Sequence, residues 1–255
     1  MTDSAPVLFI SDAHLGRRIP GCDDREKHLL TFLDRIASRA EKVFIVGDLF
    51  DFWIEYRYAI RPDYFKVLHE LRKLVCSGVE VHYLAGNHDF ALGPFIGEVI
   101  GLKTHLDHLD TAIQGKRLHL FHGDGLIKAD IGYRALRKVL RNPLNQKIYK
   151  LLHPNIGVPL GSFCSGSSRK MTSRWISEGI LEEYRQKARE YFASGSDIVV
   201  FGHTHRPEIN RWGDKVFCNP GEWIRRYTYA KLENGEMSLW EYFPDKPPQR
   251  ITEST

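Results

Sequence analysis

A chain of 255 residues, 42% hydrophobic and 27% charged with a formal net charge of +4, lies in the globular range, which excludes a disordered tail, and no apolar run reaches membrane-spanning length. Its four cysteines, Cys22, Cys76, Cys164 and Cys218, form no C-x-x-C pair, so thiolate zinc clamps and dithiol shuttles are excluded and a reducing cytoplasm is the expected compartment. The charge is uneven: residues 126–195 hold 13 Lys+Arg against 5 Asp+Glu, leaving 23 against 27 for the rest, a basic segment on a mildly acidic body that suits an anionic substrate or membrane face.

The first apolar run, Val7–Ile10, reads as a buried strand and stops at Ser11 and Asp12, too short for a secretory leader. Arg25–Ser38 then sets Leu29, Leu30, Leu33 and Ile36 on one helical face. A second strand, Val43–Val46, precedes the amphipathic helix Asp63–Val75, and a third follows at Val79–Leu84. Thr104–Asp110 crowds His105, Asp107, His108 and Asp110, but no strand-end glycine follows, so it is expected to be an exposed connection. Leu118–Phe121 is the fourth strand.

Leu126–Gly195 interrupts the alternation. Two amphipathic segments meet at Asn142-Pro143, a good helix start. The first aligns Leu136, Val139 and Leu140 opposite Arg134, Arg137, Lys138 and Arg141, and the second aligns Leu144, Ile148, Leu151 and Leu152. Gly161–Ser168 reads as a mobile loop, and Ser173–Phe192 as a long helix ended by Gly195. Ile198–Phe201 resumes the strands, followed by short candidates at Glu208–Arg211, Lys215–Cys218, Tyr227–Leu232 and Ser238–Tyr242, with Asn234-Gly235 as a hairpin turn. The pattern predicts an α/β core, residues 1–125 and 196–255, carrying a helical cap insertion over 126–195.

Each of the five apolar strands ends in Asp, Asn or His beside glycine: Asp12-Ala-His14-Leu-Gly16, Gly47-Asp48-Leu-Phe-Asp51, Gly86-Asn87-His88-Asp89, His122-Gly-Asp124 and Gly202-His203-Thr-His205. Ligands of open α/β sheets bind beyond the carboxyl ends of strands, so these residues are expected to converge. Carboxylate, amide and imidazole donors without thiolate suit Mn²⁺, Zn²⁺ or Fe. Seven donors suffice for two ions: Asp12, His14 and His205 for one, Asn87, His122 and His203 for the other, and Asp48 as bridge. Such a pair makes a hydroxide nucleophile and clamps a phosphoryl group, so phosphoester hydrolysis is the expected reaction. His88, beside Asn87, is placed as general acid or charge stabiliser, with Asp51 orienting it. Asp89 and Asp124 are read as partners of the ligand histidines or as turn residues; His28, His69, His82, His119 and His153 are read as structural or surface groups.

Together the motifs D-x-H, G-D-x-x-D, G-N-H-D, H-G and G-H-x-H, in order across residues 10–205, resemble the calcineurin-like metallophosphoesterases. The resemblance implies a four-layer sandwich, two mixed β-sheets flanked by helices, with a dinuclear centre on the seven donors; Mn²⁺ is the expected ion, and Zn²⁺, Fe and Mg²⁺ are the alternatives. A closer resemblance, to the UDP-2,3-diacylglucosamine diphosphatases of lipid A synthesis, rests on Gly47-Asp-Leu-Phe-Asp-Phe-Trp53, Asp130-Ile-Gly-Tyr133, Gly202-His-Thr-His-Arg-Pro207 and Gly221-Glu-Trp223. It implies a nucleotide-linked lipid sugar as substrate, held by Asn87, His88, Asp130, Tyr133, Ser168, Arg169, Lys170 and His203. It also implies a cytoplasmic protein with peripheral contact at the inner membrane face. His88 stands where the best-known branch has Arg, and Asp51 replaces a Glu, the mark of a sister branch. The alternatives are a nucleotide phosphodiesterase, nuclease or phosphatase of the same fold. A nucleic-acid partner is not expected, because the basic residues lack interleaved aromatics. A non-enzymatic scaffold would have lost ligands that this chain retains.

Overall fold

The computed structural model describes residues 4–17, 19, 21–22, 24–127, 131–172 and 177–252, without side chains for 131–134, 136 and 165–172. Short runs rich in β-branched and aromatic residues form two mixed sheets. In the first, β1 (Val7–Ile10), β2 (Lys42–Val46), β3 (Glu80–Leu84) and β4 (Lys103–His105) run parallel. β10 (Thr228–Glu233), β11 (Glu236–Phe243) and β12 (Lys246–Ile251) extend it antiparallel, in the order β12-β11-β10-β1-β2-β3-β4. The second combines β5 (His108–Ile113), β6 (Lys116–Phe121), β7 (Ile198–Phe201), β8 (Glu208–Trp212) and β9 (Lys215–Asn219) in the order β5-β6-β7-β9-β8.

Period-2 alternation decides which core each residue enters. Val7 and Phe9 of β1, with Phe44 and Val46 of β2, meet Leu118, Leu120, Ile198 and Val200 between the sheets. Leu8, Ile10, Val43 and Ile45 turn outward onto α1 (Arg25–Arg35) and α2 (Phe65–Cys76), where Leu29, Phe32, Leu68 and Leu71 cover them. Val199 and Phe201 of β7 turn the other way, onto Tyr184 and Ala188 of a C-terminal helix. The architecture is therefore the expected four-layer α/β sandwich. Asn234 and Gly235, at φ 53° and 77°, make the expected hairpin, and Gln114-Gly115, at 49° and 76°, makes another that the sequence reading passed over.

The insertion comprises α3 (Ile131–Arg141), α4 (Pro143–Tyr149), α5 (Pro154–Thr172) and α6 (Glu178–Ala193). Two expectations change here. The helix on Phe201 is α6, so the cap boundary at residue 195 is too late: α6 is the fourth core layer, and only α3–α5 project. The loop expected at Gly161–Ser168 is part of α5. Its glycines serve close approach instead of a turn, since a Cβ at Gly157 would strike Tyr56 and one at Gly161 would strike Phe52. Ser173, the expected start of the long helix, lies outside the described residues.

The expected exposed connection Thr104–Asp110 is exposed in large part but is where the chain passes from β4 to β5, from one sheet to the other. β12 went unread because its residues are polar and include Pro247 and Pro248, which an edge strand tolerates. On α3–α5 and the turn between α4 and α5 many apolar side chains face outward: Val139, Leu144, Ile148 and Phe163 are over half exposed, and Leu151 of the turn is 84% exposed. Among the described residues no helix is long and apolar enough to cross a membrane.

Candidate metal centre

The loops leaving β1, β2, β3, β6 and β7 meet at one end of the sandwich and hold one another through the backbone. Asp12 N–H donates to the Gly47 carbonyl (3.2 Å), His14 N–H to that of Asp48 (2.9 Å), and Gly202 N–H to that of His122 (2.9 Å). Five of these loop residues, Asp12, His14, Asp48, His203 and His205, have φ between 44° and 67°, the left-handed region that a side chain disfavours. Such backbones cost about 1–3 kcal/mol each and persist where surrounding structure imposes them. Two glycines permit the crowding: a Cβ at Gly47 would strike His122, and one at Gly86 would strike Asp48.

Three clusters result among the described residues: two hold the expected metal donors, and His14, Asp51 and His88 form a third. In the first, Asp12, His14 and His205 converge: His205 Nε2 lies 3.3 Å from both Asp12 Oδ1 and His14 Nε2, and His14 Nε2 lies 3.6 Å from Asp12 Oδ1. In the second, Asp48, His122 and His203 converge, with the Asn87 Oδ1 oxygen 3.1 Å from His122 Nε2. Asp48 Oδ2 faces both, at 3.7 Å from His14 Nε2 and 3.4 Å from His122 Nε2. All seven expected donors are thus gathered. Imidazole nitrogens that face one another, and an Asp12 Oδ1 that accepts no hydrogen bond among the described residues, are what a cation would resolve. The donor set fits two divalent ions and does not identify them.

Protonation follows from the crowding. Burial pulls the His122 imidazolium down, but Asp48 outweighs it and holds the group at about 10. Burial opposes the charge on Asp48 too, and the His122 and His88 rings hold it well below the usual carboxylate range. Burial, with His122 nearby, pushes His203 down to about 3, so it is neutral at pH 7 and ready to ligate. A cation entering the second cluster therefore displaces a proton from the Asp48–His122 pair.

Supporting groups fix these ligands. Asp89, fully buried, accepts from the N–H groups of Asp48 (3.1 Å), Phe50 (3.4 Å) and Gly86 (2.8 Å) and from the Tyr83 hydroxyl, tying the second and third loops together. Burial and Asp48 push its carboxyl up to about 7. His122 Nδ1 donates to the Val46 carbonyl (2.8 Å), leaving Nε2 for the centre. His205 Nδ1 faces Glu222 Oε2 at 3.3 Å. Glu222 stands in the Gly221-Glu-Trp223 motif without any local sign of its partner His205, and Tyr83 meets Asp89 because the β3 strand end folds back on itself.

His88 is buried, with Nε2 3.8 Å from Asp48 Oδ2. Its Nδ1 meets the backbone carbonyl of Asp51 at 3.2 Å, while the Asp51 carboxylate faces His14 Nδ1 at 4.0 Å. Asp51 thus meets His88 through its main chain, and its carboxylate, His14 and His88 bring their donor atoms within 4.8 Å of one another, an arrangement compatible with the expected orienting role. Of the expected substrate contacts, Asp130 lies outside the described residues. Tyr133 falls on α3, and Ser168, Arg169 and Lys170 fall on α5, with side chains outside the description. Asp124, expected as a partner of the ligand histidines or as a turn residue, is fully buried, lies close enough to His122 and His203 to act on their charge, and also pairs with Arg137 and Arg141 of α3. Those two arginines belong to the basic helix side opposite Leu136, Val139 and Leu140, and here they turn to the core, because a buried carboxylate there demands a counter-charge.

Residues 5–207 match the family model described as calcineurin-like phosphoesterase. Among curated proteins, a UDP-2,3-diacylglucosamine hydrolase of Porphyromonas gingivalis is 31% identical over 252 residues, covering 91% of this chain and 96% of that one. One from Pseudomonas savastanoi is 30% identical, covering 94% and 97%. Among solved structures, vacuolar protein sorting 29 from Cryptosporidium parvum aligns over 98% of this chain and 96% of that one, with 16% identity and a TM-score of 0.48.

Proposed function

The chain belongs to the calcineurin-like phosphoesterase family, and from that premise we propose that it cleaves the pyrophosphate bond of a nucleotide-linked, acylated sugar. The observation that carries the reaction class is the meeting of two ligand clusters at Asp48 Oδ2. Two divalent ions, when bound, supply a hydroxide nucleophile and neutralise phosphoryl oxygens. Asp12, His14 and His205 would hold one and Asn87, His122 and His203 the other, with Asp48 shared. His88, its Nδ1 engaged by the Asp51 carbonyl, keeps Nε2 as the atom that gives a proton to the leaving oxygen or stabilises its charge.

The acylated substrate is supported by the 31% identity to the UDP-2,3-diacylglucosamine hydrolase of Porphyromonas gingivalis, a match that covers 96% of that chain. A second support is the outward apolar surface of α3–α5, set in the basic part of the chain. The same features favour work at the cytoplasmic face of a membrane, where such a substrate resides. Asp130, Tyr133, Ser168, Arg169 and Lys170 remain our proposal for the substrate-contacting residues, and Mn²⁺ for the ions.

Burying acyl carbons contributes about 0.8 kcal/mol per CH₂, so kcat/KM for UDP-2,3-diacylglucosamine should exceed that for an unacylated UDP-sugar by at least about 100-fold. Equal efficiency on both would overturn the lipid assignment and favour a nucleotide phosphodiesterase. Loss of activity towards both, with an aryl phosphate still cleaved, would favour a general phosphatase.

A further inference from the structure

Among the described side chains, α3 and α4 bring little apolar surface to the core: α4 has no buried residue, and Val139 and Leu144 point outward. What α3 brings is charge. Arg137 and Arg141, one helical turn apart, both reach Asp124 Oδ2, at 2.7 Å from Nε and 3.3 Å from Nη2. Asp124 is fully buried and lies two residues after His122. Arg141 Nη2 also donates to the Gly86 carbonyl (3.2 Å), immediately before Asn87, and its Nη1 to the Leu106 carbonyl (2.6 Å). Arg137 Nη2 pairs with Asp107 (3.0 Å), and its guanidinium lies 5.5 Å above the Phe121 ring. One helix face therefore grips the His122 loop and the Asn87 loop, two of the four loops that build the second cluster, and touches none of Asp12, His14 or His205 in these contacts.

We infer that Arg137 and Arg141 are positioning residues, which latch the projecting helices to the core and set the spacing of Asn87 and His122. The inference rests on the two-ion reading above. Exposed ion pairs contribute little, but these arginines answer a carboxylate with no access to water, so removing one leaves a buried charge undercompensated and its loop free to shift. The apolar face of α3–α4 stays available because charge, instead of greasy packing, holds the segment down.

The test titrates metal-free protein with Mn²⁺ by calorimetry and electron paramagnetic resonance, for the parent chain, Arg141→Met, Arg141→Lys and Asp124→Asn, with hydrogen exchange across residues 131–141. The parent should bind two ions. Arg141→Met and Asp124→Asn should weaken one of them by roughly 10–100-fold, as lost support of a metal ligand does, and leave the other unchanged. Exchange in α3 should quicken, more so at high salt, and Arg141→Lys should recover part of both effects. Two ions held with parental affinity in Arg141→Met would overturn the coupling. Equal weakening of both ions would assign the arginines to general folding and also overturn it. A parent that binds fewer than two ions would instead sink the two-ion reading.

Discussion

The ligand loops and the projecting helices are held by opposite means. Around the centre, five residues sit in left-handed backbone and Asp89 alone takes four donors. On α3–α4 two arginines make the described contacts with the core while the aliphatic side chains look outward. The first arrangement suits chemistry, where a ligand displaced by an ångström is lost; the second suits a surface that must meet a large or variable apolar group. Rigidity and adaptability are thus kept in separate segments and joined at Asp124.

The largest effect that would sharpen this contrast is at the shared ligand. Asp48→Asn removes the negative charge both clusters face, so metal content and turnover should fall together, the latter by at least about 10⁴-fold on acylated and aryl substrates alike. Elemental analysis beside both assays checks it; two retained ions with normal turnover would remove Asp48 from the bridge. His88→Ala comes next. Metal content should stay at the parental level while kcat drops by about 10²–10⁴-fold, most for poor leaving groups. Equal losses on an activated aryl phosphate and on the natural substrate would restrict His88 to charge stabilisation. The smallest effects compare packing directly: Leu71→Ala, in the sheet–helix core at 0% exposure, should cost about 2–5 kcal/mol in chemical denaturation. Leu144→Ala, 63% exposed on α4, should stay within about 0.5 kcal/mol. A large loss at Leu144 would break the contrast.

Much of this was legible because the chemistry sits at the ends of uninterrupted apolar strands. The five runs from Val7 to Phe201 form strands where the pattern puts them, and each delivers its ligands to the same rim. Periodicity could not say what a helix rests on: α6 and α4 are both amphipathic, yet Tyr184 and Ala188 enter the core while Leu144 and Ile148 do not. The glycines of α5 misled because a turn and a close helix contact leave the same residue in the sequence. β4, β5 and β12 are short or polar, and Glu222 acts on His205 and Asp124 on Arg141, each 17 residues away in the chain. Tertiary contact alone gives them meaning.

The two prolines of β12 bear on how the molecule keeps to itself. Each sheet ends in a strand that could recruit another chain, and none of the four is inviting. β12 carries Pro247 and Pro248, which lack an N–H to offer; β4 is three residues long; β5 turns His108 and Asp110 to solvent; β8 carries Asn210 and Arg211. The apolar surface left uncovered lies instead on helices, whose backbone hydrogen bonds are already satisfied internally. Contacts made there can form and dissolve side chain by side chain, without templating a growing ladder, so a sticky surface need not be an aggregating one.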